Sequence, residues 1–276
     1  MVAIGLNLLM GYAGQISLAH GAFAGLGGYI SAILTTNYSL SATFSIFISL
    51  GVMGIFAYIL ARPILKLSGH YLAMATLGVG VIITIVLNSE DEFTGGSDGM
   101  AVELLSIFGY TPTSPIEWYI FVALQLWLLL WFTLNLIDSP LGRVLHSLSD
   151  SLNVPMSVGV DVTKYKSLIF VLSVLIATLS GSLYAFFSGF ISPQEAGFEH
   201  SIELVAMVVL GGMGRVYGAV IGAIILTNLP QFLTSFDEYQ TLIYGTIIVL
   251  VMIFIPKGVV AIFDTLENRI KRLFYA

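Results

Sequence analysis

The chain has no cysteine among its 276 residues. This excludes disulfides, thiolate metal sites and cysteine nucleophiles, though it identifies no compartment. Charge is nearly as scarce: only 9% of residues are Asp, Glu, Lys or Arg, where an ordinary soluble domain carries about 25%. The balance is 16 acids against 10 bases, a net charge of -6, with no basic patch that could serve as a footprint for nucleic acid. No GxxxxGK[ST] run occurs, so the chain has no P-loop of its own for ATP. No Lys or Arg precedes Arg62, and the basic n-region of a signal peptide is therefore missing as well.

What remains is apolar. Hydrophobic residues make up 57% of the chain and mean hydropathy is +0.96, a composition for lipid rather than water. A hydrocarbon layer about 30 Å thick needs roughly 20 apolar residues per helix, which leaves room for about seven or eight crossings. Apolar runs predict helices near 14–34, 42–60, 71–88, 116–137, 168–190, 201–213, 217–234 and 240–256. The expected fold is an all-α integral membrane protein of about eight transmembrane helices, some short or broken, forming one domain over 1–276. The run 201–213 is too short to cross alone and is followed by Gly211, Gly212 and Gly214. Short, glycine-interrupted spans tend to line pathways. The stub 1–13 reads as a shortened first helix.

The ten bases fall between spans or at the tail: Arg62, Lys66, Arg143, Lys164, Lys166, Arg215, Lys257, Arg269, Lys271 and Arg272. By the positive-inside rule these positions are cytoplasmic, the C-terminus included. The Lys- and Arg-free loops 35–41, 89–115, 191–200 and 235–239 lie on the other side. The expected location is a plasma (inner) membrane, crossed many times.

Three segments carry candidate chemistry. Gln15, Ser17 and His20 stand in a glycine-rich approach to the first long helix, where intramembrane polar groups either bond neighbouring helices or line a pathway or gate. Gly21 and Gly25 form a GxxxG pair suited to close helix packing. Gly211, Gly214, Gly218, Ala219 and Gly222 echo that pattern, as an internal duplication would. The loop Thr94-Gly95-Gly96-Ser97-Asp98-Gly99 matches GxSxG, but a nucleophile elbow needs a strand-to-helix turn in a sheet, and nothing predicts one. Thr94, Ser97 and Asp98 are instead expected in a glycine turn at an outer gate, with a Ser97–His200 hydrolase the weaker alternative. In 138–166, Leu141, Val144, Leu145 and Leu148 recur at helical spacing, with Asp138 or Ser139 available as a cap and Pro140 at the first turn. Such a stripe either lies on the membrane surface or docks a cytoplasmic partner. An ion-driven carrier would need ionisable groups near the bilayer midplane, yet the acids lie in loops or near span ends, with Glu203 the deepest. A pore subunit worked by a separate ATPase fits both absences.

These blocks in order resemble the permease subunits of branched-chain amino acid ABC importers, the LivM type more than the LivH type. The likeness runs from Leu6-Asn7-Leu8-Leu9 and Gly11-Tyr12-Ala13-Gly14 through Tyr71-Leu72-Ala73-Met74, Thr94 to Gly99, Ser139-Pro140-Leu141-Gly142-Arg143 and Ile191-Ser192-Pro193, ending at Met207 to Gly214. It implies a second, LivH-type permease subunit, two cytoplasmic ATPases that hold the ATP and Mg, and an extracytoplasmic binding protein. No cofactor is expected on this chain. Arg143, Leu145, Leu148, Asp150 and Gly159 fall in the family's coupling region. Ser149-Asp150-Ser151-Leu152 and Pro155 depart from its usual pattern, and a proline there ends or kinks a helix. Relatives in the same family carry urea or short amides, so the substrate class is wider than branched-chain amino acids.

Overall fold

The computed structural model describes residues 1–67, 69–103, 105, 111–112, 114–150, 159–233, 240–254 and 258–260. Among these are eleven α-helices: α1 Val2–Asn7, α2 His20–Thr36, α3 Ala42–Ile64, α4 His70–Ser89, α5 Asp91–Thr94, α6 Pro115–Asp138, α7 Pro140–Asp150, α8 Val162–Ser188, α9 Phe198–Gly211, α10 Val216–Leu233 and α11 Gln240–Phe254. Every apolar run read from the sequence corresponds to one of them. Five (α3, α4, α6, α8 and α10) are long and apolar enough to cross a bilayer. The 14 residues of α9 span only about 21 Å at 1.5 Å per residue, as the glycines after it suggested.

Local chemistry sets the ends. Ser114 and Glu117 form a capping box at the start of α6, with Pro115 in its first turn. Asp161 caps α8 by accepting the Lys164 N–H at 3.1 Å, so this helix begins six residues earlier than the apolar run that predicted it. The polar first turn had hidden its start. At the other end α8 stops at Gly189, which takes the left-handed conformation with φ +66°. The first long helix begins later than expected, at His20, because residues 13–19 leave helical geometry after Gly14 turns to φ +63°. The apolar stub is itself helical: α1 continues into a π-helical turn, Leu8–Tyr12, and both are largely buried.

The helices are not equivalent. In the most apolar window of α8, 61% of residues are buried, against 11% in α6. Thus α8 belongs to the core and α6 to the rim. At the centre α2 packs along α8, and small residues let the backbones touch. A Cβ on Gly27 would lie 2.7 Å from Thr178 Cα, and one on Gly28 would lie 2.9 Å from the Gly181 carbonyl. Hydroxyls then close the contact. The Gly27 carbonyl accepts from Ser49 of α3 at 2.9 Å and from Ser182 of α8 at 3.1 Å, while Ser31 and Ser182 bond each other at 2.7 Å. In lipid, where apolar surface gives helices little reason to associate, such packing and bonding are what hold a bundle together. Outward faces carry large apolar side chains such as Phe44, Phe47, Ile82, Trp127 and Trp131.

Among the described residues one paired element is a two-stranded ladder. Met100–Ala101 pairs antiparallel with Phe190–Ile191, and the Val102 N–H extends the ladder to the Gly189 carbonyl at 2.9 Å. It ties the segment after α4 to the end of α8.

Candidate functional site

Two helix–turn–helix units meet inside the bundle. One runs from α1 through 13–19 to α2, the other from α9 through 212–215 to α10. They touch at Gly11 and Gly214, where a Cβ on Gly11 would overlap the Gly214 backbone. The unequal turns, seven residues against four, argue that any kinship between the two glycine patterns is loose.

Asn7 holds the second turn. Its Oδ1 accepts the Gly214 N–H at 3.0 Å and its Nδ2 donates to the Arg215 carbonyl at 2.8 Å. Backbone outside a helix is tolerated within a membrane protein only where its polar groups find partners, and one amide side chain supplies both. The first turn is served by other helices. Thr76 of α4 accepts the Leu18 N–H at 3.0 Å, and Ser201 of α9 accepts the Gly21 N–H at 3.1 Å. These contacts replace the side-chain cap that Ala19 cannot provide.

The polar residues picked out in this segment sit together. His20 is fully buried, with Nδ1 3.0 Å from Ser17 Oγ and Nε2 3.1 Å from Ser173 Oγ of α8. Its ring also meets Phe23 edge-on. Gln15 is equally buried, but neither atom of its amide bonds a protein group. Asn7, Ser173 and Ser201 escaped the sequence reading. A lone Asn between leucines was the available signal for the first, whereas serines in a long apolar helix give no sign of which way they face.

The glycines lie at tight contacts. A Cβ on Gly21 would come 2.7 Å from Ser201 Oγ, and one on Gly25 would come 2.6 Å from Ala196 Cβ. On the α9–α10 hairpin, Gly211 and Gly222 face the carbonyls of Gly218 and Met207 with no room for a methyl, and Gly218 would place one 2.7 Å from the Gly211 carbonyl. Gly212 and Gly214 take φ of +115° and +75°.

The glycine loop after α4 is a compact turn. Thr94 is buried; its hydroxyl donates to the Leu87 carbonyl at 2.8 Å, contacts the Glu90 carbonyl and accepts the Gly96 N–H at 3.3 Å. Ser97 is exposed and leans on Asp98 Oδ1 at 3.4 Å. Ser97 follows the short helix α5 rather than a strand, and His200 faces Glu203 at 3.8 Å. The strand-to-helix elbow of a serine hydrolase is not what this loop forms.

A cavity of about 400 Å³ opens between α1, α2, α6, α8, α9 and α10. Its walls are mostly apolar, its ionisable side chains are Glu195, His200 and Tyr184, and Met1 lines it as well. The Tyr184 hydroxyl donates to Glu195 Oε1 at 3.1 Å. Ala24, on the cavity wall, stands one helical turn beyond His20.

The amphipathic helix expected in 138–166 is α7. Its stripe turns inward: Leu145 and Leu148 are buried in the chain's own core, and Tyr12 meets the His146 ring edge-on at 5.2 Å. Arg143 is exposed on the other side, and His146 is exposed at the flank where it meets Tyr12. Asp150 ends the helix with a side chain outside the described residues, as are 151–158 and the basic tail. Gly159 is exposed, at φ +80°. The exposed surface of α7 is therefore its polar face rather than the leucine stripe.

An apolar exterior, helices of spanning length and an interior joined by glycine contacts and paired hydroxyls define a polytopic all-α membrane protein. A model of the family described as "Branched-chain amino acid transport system / permease component" matches residues 1–255. The chain belongs to that family. It is 32% identical over 282 residues to the high-affinity branched-chain amino acid transport system permease protein LivM of Salmonella typhimurium, and 32% identical over 283 residues to LivM of Escherichia coli. Each match covers 94% of this chain, and the chain spans 66% of the length of these relatives. LivH of Salmonella typhimurium is 24% identical over 288 residues, which cover 94% of this chain and 90% of LivH. No solved structure matches at comparable significance.

Proposed function

We propose that the chain is a membrane-spanning permease subunit of an ATP-driven importer of branched-chain amino acids. In this reading an extracytoplasmic binding protein delivers the substrate, a second permease subunit of the LivH type completes the pathway, and two cytoplasmic ATPases with ATP and Mg drive it. The observation that carries the reading is the 32% identity to LivM permeases over 94% of this chain. The chain itself transports rather than catalyses. Gln15, Ser17 and His20 form the layer that closes the pathway below the cavity, and the turn containing Thr94, Ser97 and Asp98 stands at its outer rim.

The geometry of α7 supports the coupling to ATPases. ATP binding can shift a permease only through contacts that differ between its states, and such contacts need a lever that does not slip. Leu145 and Leu148 anchor α7 in the core, while Arg143 is presented outward. Substituting the leucines would damage the fold, so the informative variant is Arg143→Glu. In proteoliposomes carrying the permease pair, ATPases and binding protein, the wild type should accumulate leucine, isoleucine and valine on ATP addition. Arg143→Glu should lower uptake roughly tenfold while the permease pair still assembles. Uptake of urea or an amide in place of these amino acids would redirect the substrate class, and an Arg143→Glu variant with normal uptake and ATPase stimulation would remove α7 from the coupling.

A further inference from the structure

The cavity is where hydrogen-bonding capacity and apolar surface are brought together, and neither belongs to the gate layer around His20. We propose that it is a transit site for a single apolar α-amino acid, with Glu195 receiving the ammonium group and Tyr184 and His200 donating to the carboxylate. This rests on the transport reading above and assigns the residues that would meet the substrate.

Size comes first. At about 400 Å³ the cavity lies near the small end of the ~300–1,000 Å³ typical of ligand pockets, which suits one amino acid rather than a peptide. Its shape is fixed by backbone contacts, since Gly25 abuts Ala196 and Gly181 abuts the Ala24 carbonyl. Extra side-chain volume at either glycine would collide with the neighbouring helix or loop, so this wall cannot slide closer without losing those contacts.

The second argument is chemical matching. A zwitterion entering a low-dielectric cavity must exchange water for an acceptor and donors, because an unpaired charge there is costly. Glu195 is an acceptor, Tyr184 O–H is a donor, and a His200 ring N–H is a second donor. In the structure Tyr184 bonds Glu195 at 3.1 Å, and His200 lies 3.8 Å from Glu203, outside the cavity lining. A substrate can therefore exchange the Tyr184–Glu195 bond for its own bonds to the two side chains. Along the same face of α9 as His200, Leu204 and Met207 offer an apolar wall to a branched side chain. Aliphatic walls reward each additional methylene about tenfold or more, which favours leucine over alanine.

The test uses the assembled transporter in proteoliposomes. Glu195→Gln should raise the transport KM for leucine about tenfold, while the affinity of the separate binding protein is unchanged. Met207→Phe should narrow the apolar wall and lower the leucine-to-alanine flux ratio severalfold. A third measurement does not depend on flux. Ser180 lines the cavity and the chain has no native cysteine, so Ser180→Cys should react with a small methanethiosulfonate reagent and be protected by leucine but not by urea. If wild-type complexes move no branched-chain amino acid, the transport reading fails and this assignment falls with it. If they do move one, but Glu195→Gln and Met207→Phe leave KM and selectivity unchanged and leucine gives no protection at Ser180→Cys, the transit site alone is overturned.

Discussion

Asn7 does for this membrane protein what a cap does for a soluble helix, at a distance of more than 200 residues. Its amide is both acceptor and donor, so it satisfies the Gly214 N–H and the Arg215 carbonyl together. A leucine of similar size would leave the Gly214 N–H unpaired, while the Arg215 carbonyl would keep the Ala219 N–H at 3.3 Å. At about 1–3 kcal/mol for a buried group that loses its partner, Asn7→Leu should destabilise the chain by roughly that amount. Thermal unfolding of the detergent-solubilised protein should show a clearly lower midpoint. An unchanged midpoint would mean that the Gly214 N–H finds another partner. His20 presents the complementary case, since each ring nitrogen has a serine hydroxyl while the neighbouring Gln15 amide has no protein partner.

At the level of helices, glycines separate into two kinds that the sequence does not distinguish. Gly222 is pressed against the Met207 carbonyl, whereas a methyl added at Gly51 in α3 would meet nothing within 4 Å. Gly222→Ala should therefore lower the yield of folded protein or shift the α9–α10 hairpin. Gly51→Ala should be neutral or stabilise by about 0.5–1 kcal/mol through helix propensity alone. Parallel thermal-shift measurements on the two variants check both, and equal losses would contradict the helix contacts described. The helices themselves were legible because crossing a bilayer demands about 20 apolar residues, a signal that survives without any homologue. The 3.6-residue stripe of α7 was legible for the same kind of reason, but periodicity says only that one face is buried and not by whom. Leu145 and Leu148 met the chain's own core instead of a partner. The cavity was illegible because Tyr184, Glu195 and His200 come from a helix, a short 3-10 turn and another helix. Only the turn at Gly189 and the ladder through Ile191 bring them to one rim.

Over the whole molecule, the scarce charges remain the best guide to orientation. Exposed Lys66 follows α3 at the basic end, and exposed Tyr38 precedes that helix at the end without Lys or Arg. The positive-inside rule places the first in the cytoplasm and the second outside. Single cysteines at Tyr38→Cys and Lys66→Cys in this cysteine-free chain should accordingly react with a membrane-impermeant maleimide from opposite faces. Reaction of both from the same face would refute the orientation.

The clasp between α2 and α8 also sets a schedule for biogenesis. Ser31 and Ser182 are 151 residues apart, and synthesis at about 5–20 residues per second separates their emergence from the ribosome by roughly 8–30 s. Throughout that interval α2 has no α8 to cover its glycines and bond its serine hydroxyls. Nascent α2 must then be sheltered by α3 and by the insertion machinery, and the cell's capacity to wait for the later helix becomes part of what determines how much finished protein it makes.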